Sequence, residues 1–182
     1  MINHPFPPLF KSDAQILILG SFPSVKSRET GFFYGHRQNR FWKVMAEILQ
    51  YPFIPLTVED KTDMLARGRV ALWDTIASCD IKGSSDSSIT NVVPNDLGII
   101  LEKANIRKIC CNGTKSYELF MKYTADSIRN DSRIGTDGFM TKKIPEFVKL
   151  PSTSPANAAW SLEKLEASWK ELTGLMPIDN NI

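Results

Sequence analysis

Gln15-Ile-Leu-Ile-Leu-Gly-Ser21 is the stretch on which the fold turns. A short, uninterrupted apolar run ended by Gly20 reads as a strand buried on both faces, and strands of that kind belong to parallel sheets. Working outward, Val70-Ala-Leu-Trp-Asp74, Arg107-Lys-Ile-Cys-Cys-Asn112 and Glu146-Phe-Val-Lys-Leu150 read as three more strands. Helical spacing falls between them. Phe41, Val44, Met45, Ile48 and Leu49 share one face, with Asn39 placed to cap and Pro52 to close. Thr57, with Asp60 three residues on, opens a second helix that carries Met64 and Leu65 and stops at Gly68. Asn95 opens another to about Asn105, and Gly113 turns the chain into one with Tyr117, Phe120 and Met121 on a face. Leu162, Leu165, Trp169 and Leu172 mark the last, ended by Gly174.

The alternation predicts the α/β class: a three-layer α/β/α sandwich around a four-stranded parallel sheet, with right-handed crossovers. Residues 1–175 are expected to form one domain, and the chain from Met176 to Ile182 to fray. Cys79 to Ser88 is polar and predicts a loop, and Thr124 to Lys143 a loop or an edge hairpin.

The 182 residues carry 22 Lys and Arg against 20 Asp and Glu, a net charge of +2. That is far from the basic balance of a protein that holds nucleic acid by charge alone, so any nucleic-acid site has to be local. Three cysteines, two of them adjacent at Cys110 and Cys111, exclude a CxxC metal clamp and a disulfide framework, and are too few for an iron–sulfur cluster. A reduced, cytoplasmic protein is the expectation. Met1 to Lys11 holds three prolines and no apolar run, and no later stretch approaches about 18 uninterrupted apolar residues, so no signal peptide or membrane span is expected.

In a sheet of this type ligands sit outside the carboxyl ends of the strands, which directs attention to Gly20 to Ser24, Asp74, Asn112 to Lys115 and Pro151 to Asn157. Gly20-Ser-Phe-Pro-Ser24 lacks both the GK[ST] ending of a P-loop and a dinucleotide fingerprint. Gly31 to Trp42 packs five aromatic rings beside His36, Arg37 and Arg40, a mixture suited to stacking on a base and gripping a phosphate. Core packing of Phe41 and Trp42 with a capping Asn39 explains the same residues. Asp74 either caps a turn or faces the pocket as an acceptor.

Taken in order, Gly20-Ser-Phe-Pro-Ser24, Tyr34-Gly-His-Arg-Gln-Asn-Arg-Phe-Trp42, Ala71-Leu-Trp-Asp74, Val93-Pro-Asn-Asp96, Asn112-Gly113 and Leu150-Pro-Ser-Thr-Ser-Pro-Ala-Asn157 resemble the uracil-DNA glycosylase superfamily, and within it the deoxyinosine (hypoxanthine) branch. The likeness runs from His4-Pro-Phe-Pro-Pro8 to the last helix. It implies a monofunctional enzyme that hydrolyses the N-glycosidic bond of a deaminated base flipped out of DNA. The implied partner is DNA containing hypoxanthine or uracil, with no metal, no organic cofactor, no membrane and a monomeric chain.

The resemblance makes Asn39 catalytic, as the residue that positions water. It places Gly20, Ser21, Phe22, Pro23, Ser24, Tyr34, His36, Asp74 and Asn112 at the base, with Tyr34 stacking and Asp74 reading the edge. Lys115, Ser152, Thr153, Ser154, Pro155, Ala156 and Asn157 fall to DNA binding. Three positions depart from the superfamily pattern. Phe22 stands where an Asp or Asn usually handles the water, Ser152 where a His or Asn begins the final motif, and Ala156 where a bulky wedge is usual. A mismatch-directed uracil or thymine glycosylase and a non-catalytic lesion binder are the alternatives.

Overall fold

The computed structural model describes residues 1–131 and 143–178. Along the chain the elements are β1 (Ile2–Asn3), β2 (Ile16–Gly20), α1 (Val25–Thr30), α2 (Phe41–Leu49), α3 (Val58–Arg67), β3 (Val70–Asp74) and β4 (Ile76–Asp80). A short 3-10 turn at Asp86–Ser88 follows, then β5 (Thr90–Pro94), α4 (Gly98–Leu101), β6 (Lys108–Asn112), α5 (Thr114–Tyr123), α6 (Ala125–Arg129), β7 (Glu146–Leu150) and α7 (Leu162–Thr173).

The four strands read from the sequence form one parallel sheet in the order β3-β2-β6-β7. Every residue of β2 and β3 is buried, which is why both lack the polar alternation of a half-exposed strand. Register aligns the carboxyl ends: Gly20 lies beside Asp74, and Asn112 beside Leu150. The principal core closes on this sheet from both faces. Phe41, Met45 and Leu49 of α2 are wholly buried, as are Phe120 of α5 and Trp169 of α7.

Strict alternation fails in one place. Between β3 and β6 the chain adds β4 and β5, which join β1 in a second, antiparallel sheet, β1-β4-β5, with its own small core of Phe22, Ile76, Cys79, Ile89 and Leu119. Cys79 and Asp80, expected in a loop, end β4, and the amino-terminal segment contributes β1. The helix expected from Asn95 shrinks to the four residues of α4. An unforeseen α1 follows Gly20 to Ser24. Ser24 caps it by accepting from the Ser27 N–H, and Gly31 ends it at φ 72°, where a side chain would be strained.

Fraying from Met176 is corrected as far as Ile178, which is buried and donates its N–H to Leu49 O at 2.9 Å. Part of the polar stretch from Thr124 is helical in α6, while residues 132–142 and 179–182 lie outside the described residues.

Candidate active site

Where the strands end, the loops after β2, β3, β6 and β7 enclose a cavity of about 400 Å³, within the range of small-molecule sites, roughly 300–1,000 Å³. Gly20, Ser21, Phe22, Pro23, Ser24, Tyr34, His36, Asn39, Asp74, Asn112, Ser152, Thr153, Ser154, Pro155 and Ala156 line it. Lys115 and Asn157 do not. Asn157 lines an adjoining groove that shares Asp86, Ser152, Ser154 and Ala156 with the cavity, and Lys115 stands in the first turn of α5. Ser27, Phe33, Ile81, Ser84 and Asp86 complete the wall, none of them singled out by the sequence.

Asn39 stands just before Arg40, the N-cap residue of α2, and bonds to the helix start and beyond it. Its Oδ1 accepts from the Phe41 N–H at 2.9 Å and from the Thr153 hydroxyl at 3.0 Å. Both contacts are donors, so the amide is oriented unambiguously, and its NH2 is the half left for the cavity. Thr153 is fully buried and organises the whole arrangement. Its hydroxyl accepts from Asn112 Nδ2 at 2.9 Å while donating to Asn39, and its N–H donates to Asn112 Oδ1 at 3.0 Å. Three loops, after β2, β6 and β7, are thereby tied by one threonine. Thr153→Val keeps the shape but strips Asn112 Nδ2 and Asn39 Oδ1 of a partner. We expect a loss of about 1–3 kcal/mol in chemical unfolding, and slower base release than an equally destabilised variant remote from the cavity.

Arg40, a candidate for gripping phosphate, is occupied within the fold. Its guanidinium donates to the carbonyls of Thr153 (3.3 Å), Ser154 (2.7 Å), Asn157 (3.1 Å) and Trp160. The segment it clamps is irregular. α7 begins only at Leu162, capped by Ser161, so Ser152 to Asn157 precede the helix and do not form its amino-terminal turn. Ser152 Oγ accepts from the Ser154 N–H, Ser154 Oγ from the Ala156 N–H, and Asn157 Nδ2 donates to Ser152 O. These groups shape the loop first.

Tyr34 sits at φ 51°, an unusual conformation for a bulky residue. Its ring stacks on Phe41 with centroids 3.9 Å apart, so a ligand can stack only on the opposite face. Its hydroxyl is buried without a hydrogen-bond partner among the described residues. Burial, then the charge of Asp74, push its pKa far up; Asn112 lies near enough to lower it but outside hydrogen-bond geometry. The group therefore stays a phenol, with a proton to donate.

Asp74 is 4% exposed. Its Oδ2 accepts from His4 Nε2 at 2.8 Å, a partner 70 residues away. Its Oδ1 lies over Gly20, where a Cβ would come within 2.1 Å of it, so only glycine fits there. Asn95 Nδ2 donates to the carbonyls of Asp74 (2.9 Å) and Ile76 (3.1 Å), fixing the end of β3. A second carboxylate, Asp86, accepts from Ser21 Oγ at 2.9 Å. Burial raises its pKa and Asp74 adds to the effect, against Ser21 and Lys115. Phe22, expected from the resemblance to stand where an Asp or Asn is usual, packs into the second core.

Cys110 and Cys111 are wholly buried in β6, their thiols pushed up to about 12, chiefly by burial, and are inert at neutral pH. Among the described residues no group of three His, Cys, Asp or Glu side chains is arranged to hold a metal, and no helix is long and apolar enough to cross a membrane.

Residues 7–173 match the model of the uracil DNA glycosylase superfamily. The chain is 30% identical over 171 residues, 93% of its length and 97% of the relative's, to a hypoxanthine DNA glycosylase of Methanosarcina acetivorans. It is 31% identical over 114 residues to one of Methanosarcina barkeri, covering 62% of this chain and 72% of that one. A solution NMR structure from M. acetivorans, described provisionally as a uracil DNA glycosylase, superposes with a TM-score of 0.72 at 29% identity, covering 94% of this chain and 98% of that one.

Proposed function

Because the chain belongs to the uracil DNA glycosylase superfamily, we propose that it is a monofunctional DNA glycosylase that removes hypoxanthine from DNA by water attack at the sugar carbon. The observation that carries the proposal is one cavity in which a buried carboxylate and an amide with only its N–H groups unoccupied face the same space. The nucleotide leaves the stack at a cost of a few kcal/mol, least for a mispaired base, and enters the cavity.

Asp74 accepts the N1–H of hypoxanthine. Adenine has an acceptor at N1, and two acceptors repel, so the normal base is refused. Tyr34 offers the free face of its ring and a phenolic proton. N–H groups of the loop from Ser21 to Ser24 take up charge developing on the leaving base, a contribution often near 3 kcal/mol per donor.

The bond from C1′ to the base breaks with its electron pair going to the base. The oxocarbenium-like sugar is then strongly electrophilic, and a water that is merely well placed suffices. Asn39 does the placing by donating from Nδ2 to the water oxygen. The water adds to C1′ and gives a proton to solvent, leaving an intact abasic strand. Competition between duplexes carrying deoxyinosine, deoxyuridine and a G·T mismatch tests the reading. Deoxyinosine should win by tenfold or more; a preference for uracil or mismatched thymine would instead favour a mismatch-directed enzyme.

A further inference from the structure

We infer that His4, delivered from the amino-terminal segment, is the positioning residue that presents one defined oxygen of Asp74 to the base. The inference rests on the proposed reading of Asp74 and adds the part that makes it selective.

The His4 side chain is buried, 3% exposed, among the rings of Phe6, Phe22, Phe33 and Trp73, all with centroids 5.5–6.3 Å away. Both its nitrogens are engaged. The Phe6 N–H donates to Nδ1 at 3.1 Å, so Nδ1 carries no proton and the hydrogen is on Nε2, pointed at Asp74 Oδ2. The carboxylate is thereby set by two contacts. His4 holds Oδ2, and Oδ1 rests over Gly20 beside the cavity, free of any side-chain donor among the described residues.

The delivery is as specific as the contact. The His4 N–H donates to Ala77 O at 2.7 Å, extending the pairing of β1 with β4. Trp73 Nε1 donates to Phe6 O at 3.1 Å, and Leu9 bridges to Leu72, so the proline-rich opening is stitched across the end and along the edge of β3. The backbone pairing already anchors this segment, so anchoring does not require an imidazole at this position. What the imidazole adds is directional. With Oδ2 occupied by a neutral N–H, Oδ1 is the acceptor that meets N1–H.

The experiment compares wild type, His4→Phe and His4→Gln in single-turnover excision from deoxyinosine and deoxyadenosine duplexes, alone and combined with Asp74→Asn. Phenylalanine suits the aromatic surroundings but has no N–H. Glutamine Nε2–H reaches nearly the same place. His4→Phe should lower excision of hypoxanthine about 10–100-fold, the effect of one charge-assisted hydrogen bond, with DNA affinity unchanged and the margin over adenine narrowed. His4→Gln should restore most of both, and His4→Phe should add little to Asp74→Asn. A folded His4→Phe with wild-type selectivity, or losses that simply add in the double variant, overturns the inference. If His4→Phe does not fold, imidazole ¹⁵N shifts of wild type decide between the Nε2–H form expected and the Nδ1–H form that contradicts it. Wild type that releases no base from any duplex overturns the proposed function, and this inference with it.

Discussion

Asn39→Ala is expected to lower base release by roughly 10²-fold or more, the scale of loss when a reacting group is no longer held in place, with affinity for lesion-containing DNA nearly unchanged. The geometry separates this from a folding defect. Asn39 also accepts from the Phe41 N–H at the start of α2, and losing one such bond costs about 1 kcal/mol. A chain destabilised by that amount stays folded and saturates with DNA, so single-turnover rates at excess enzyme isolate the chemical step. Asn39→Asp sharpens the comparison, since it keeps the acceptor for Phe41 and Thr153 while replacing the cavity-facing NH2 by an oxygen. Near wild-type turnover by Asn39→Ala would reduce the residue to a support for the start of α2.

Asp74→Asn carries the second large effect, and the structure fixes which way the new amide faces. His4 Nε2–H requires an acceptor, so the amide oxygen takes the place of Oδ2 and the NH2 turns toward the cavity. That donor opposes the N1–H of hypoxanthine and suits the N1 acceptor of adenine. Loss of a charge-assisted hydrogen bond of about 1.5–3 kcal/mol is one to two decades. The variant should lose hypoxanthine excision and narrow its preference over adenine, whereas Asp74→Ala should lose activity without gaining tolerance. Unchanged rates in both would leave Asp74 as a turn residue.

The parallel sheet was legible because β2 and β3 are buried on both faces and carry no polar interruption. The second sheet was not. Ser78, Asp80, Thr90 and Asn91 are polar, and β4 and β5 shift register twice, which erases the period-2 signal. α1 has no apolar stripe; in Val25–Thr30 only Ser27 is buried, through contacts the loop supplies. At the site, strand ends were the informative positions, since topology alone directs loops there, and they placed Gly20, Asp74 and Asn112 on the cavity.

Contacts between distant residues had no local signature. His4 meets Asp74 across 70 positions, and Asn39 meets Thr153 across 114. Arg40 looked like a phosphate ligand because exposed and clamped arginines are spelled alike; only the fold shows its donors turned onto the backbone of the 153–160 segment. Asp86, on a polar serine-rich loop, gave no reason to be separated from its neighbours until that loop was seen at the cavity mouth.

Hydrolytic excision of hypoxanthine is read from chromatography of the small-molecule product of a deoxyinosine duplex. Free hypoxanthine is expected in a one-to-one ratio with an abasic strand that stays uncut until treated with alkali, with no protein–DNA adduct on borohydride reduction. Recovery of every base still attached to its strand, or release accompanied by a borohydride-trapped adduct, would contradict hydrolytic excision.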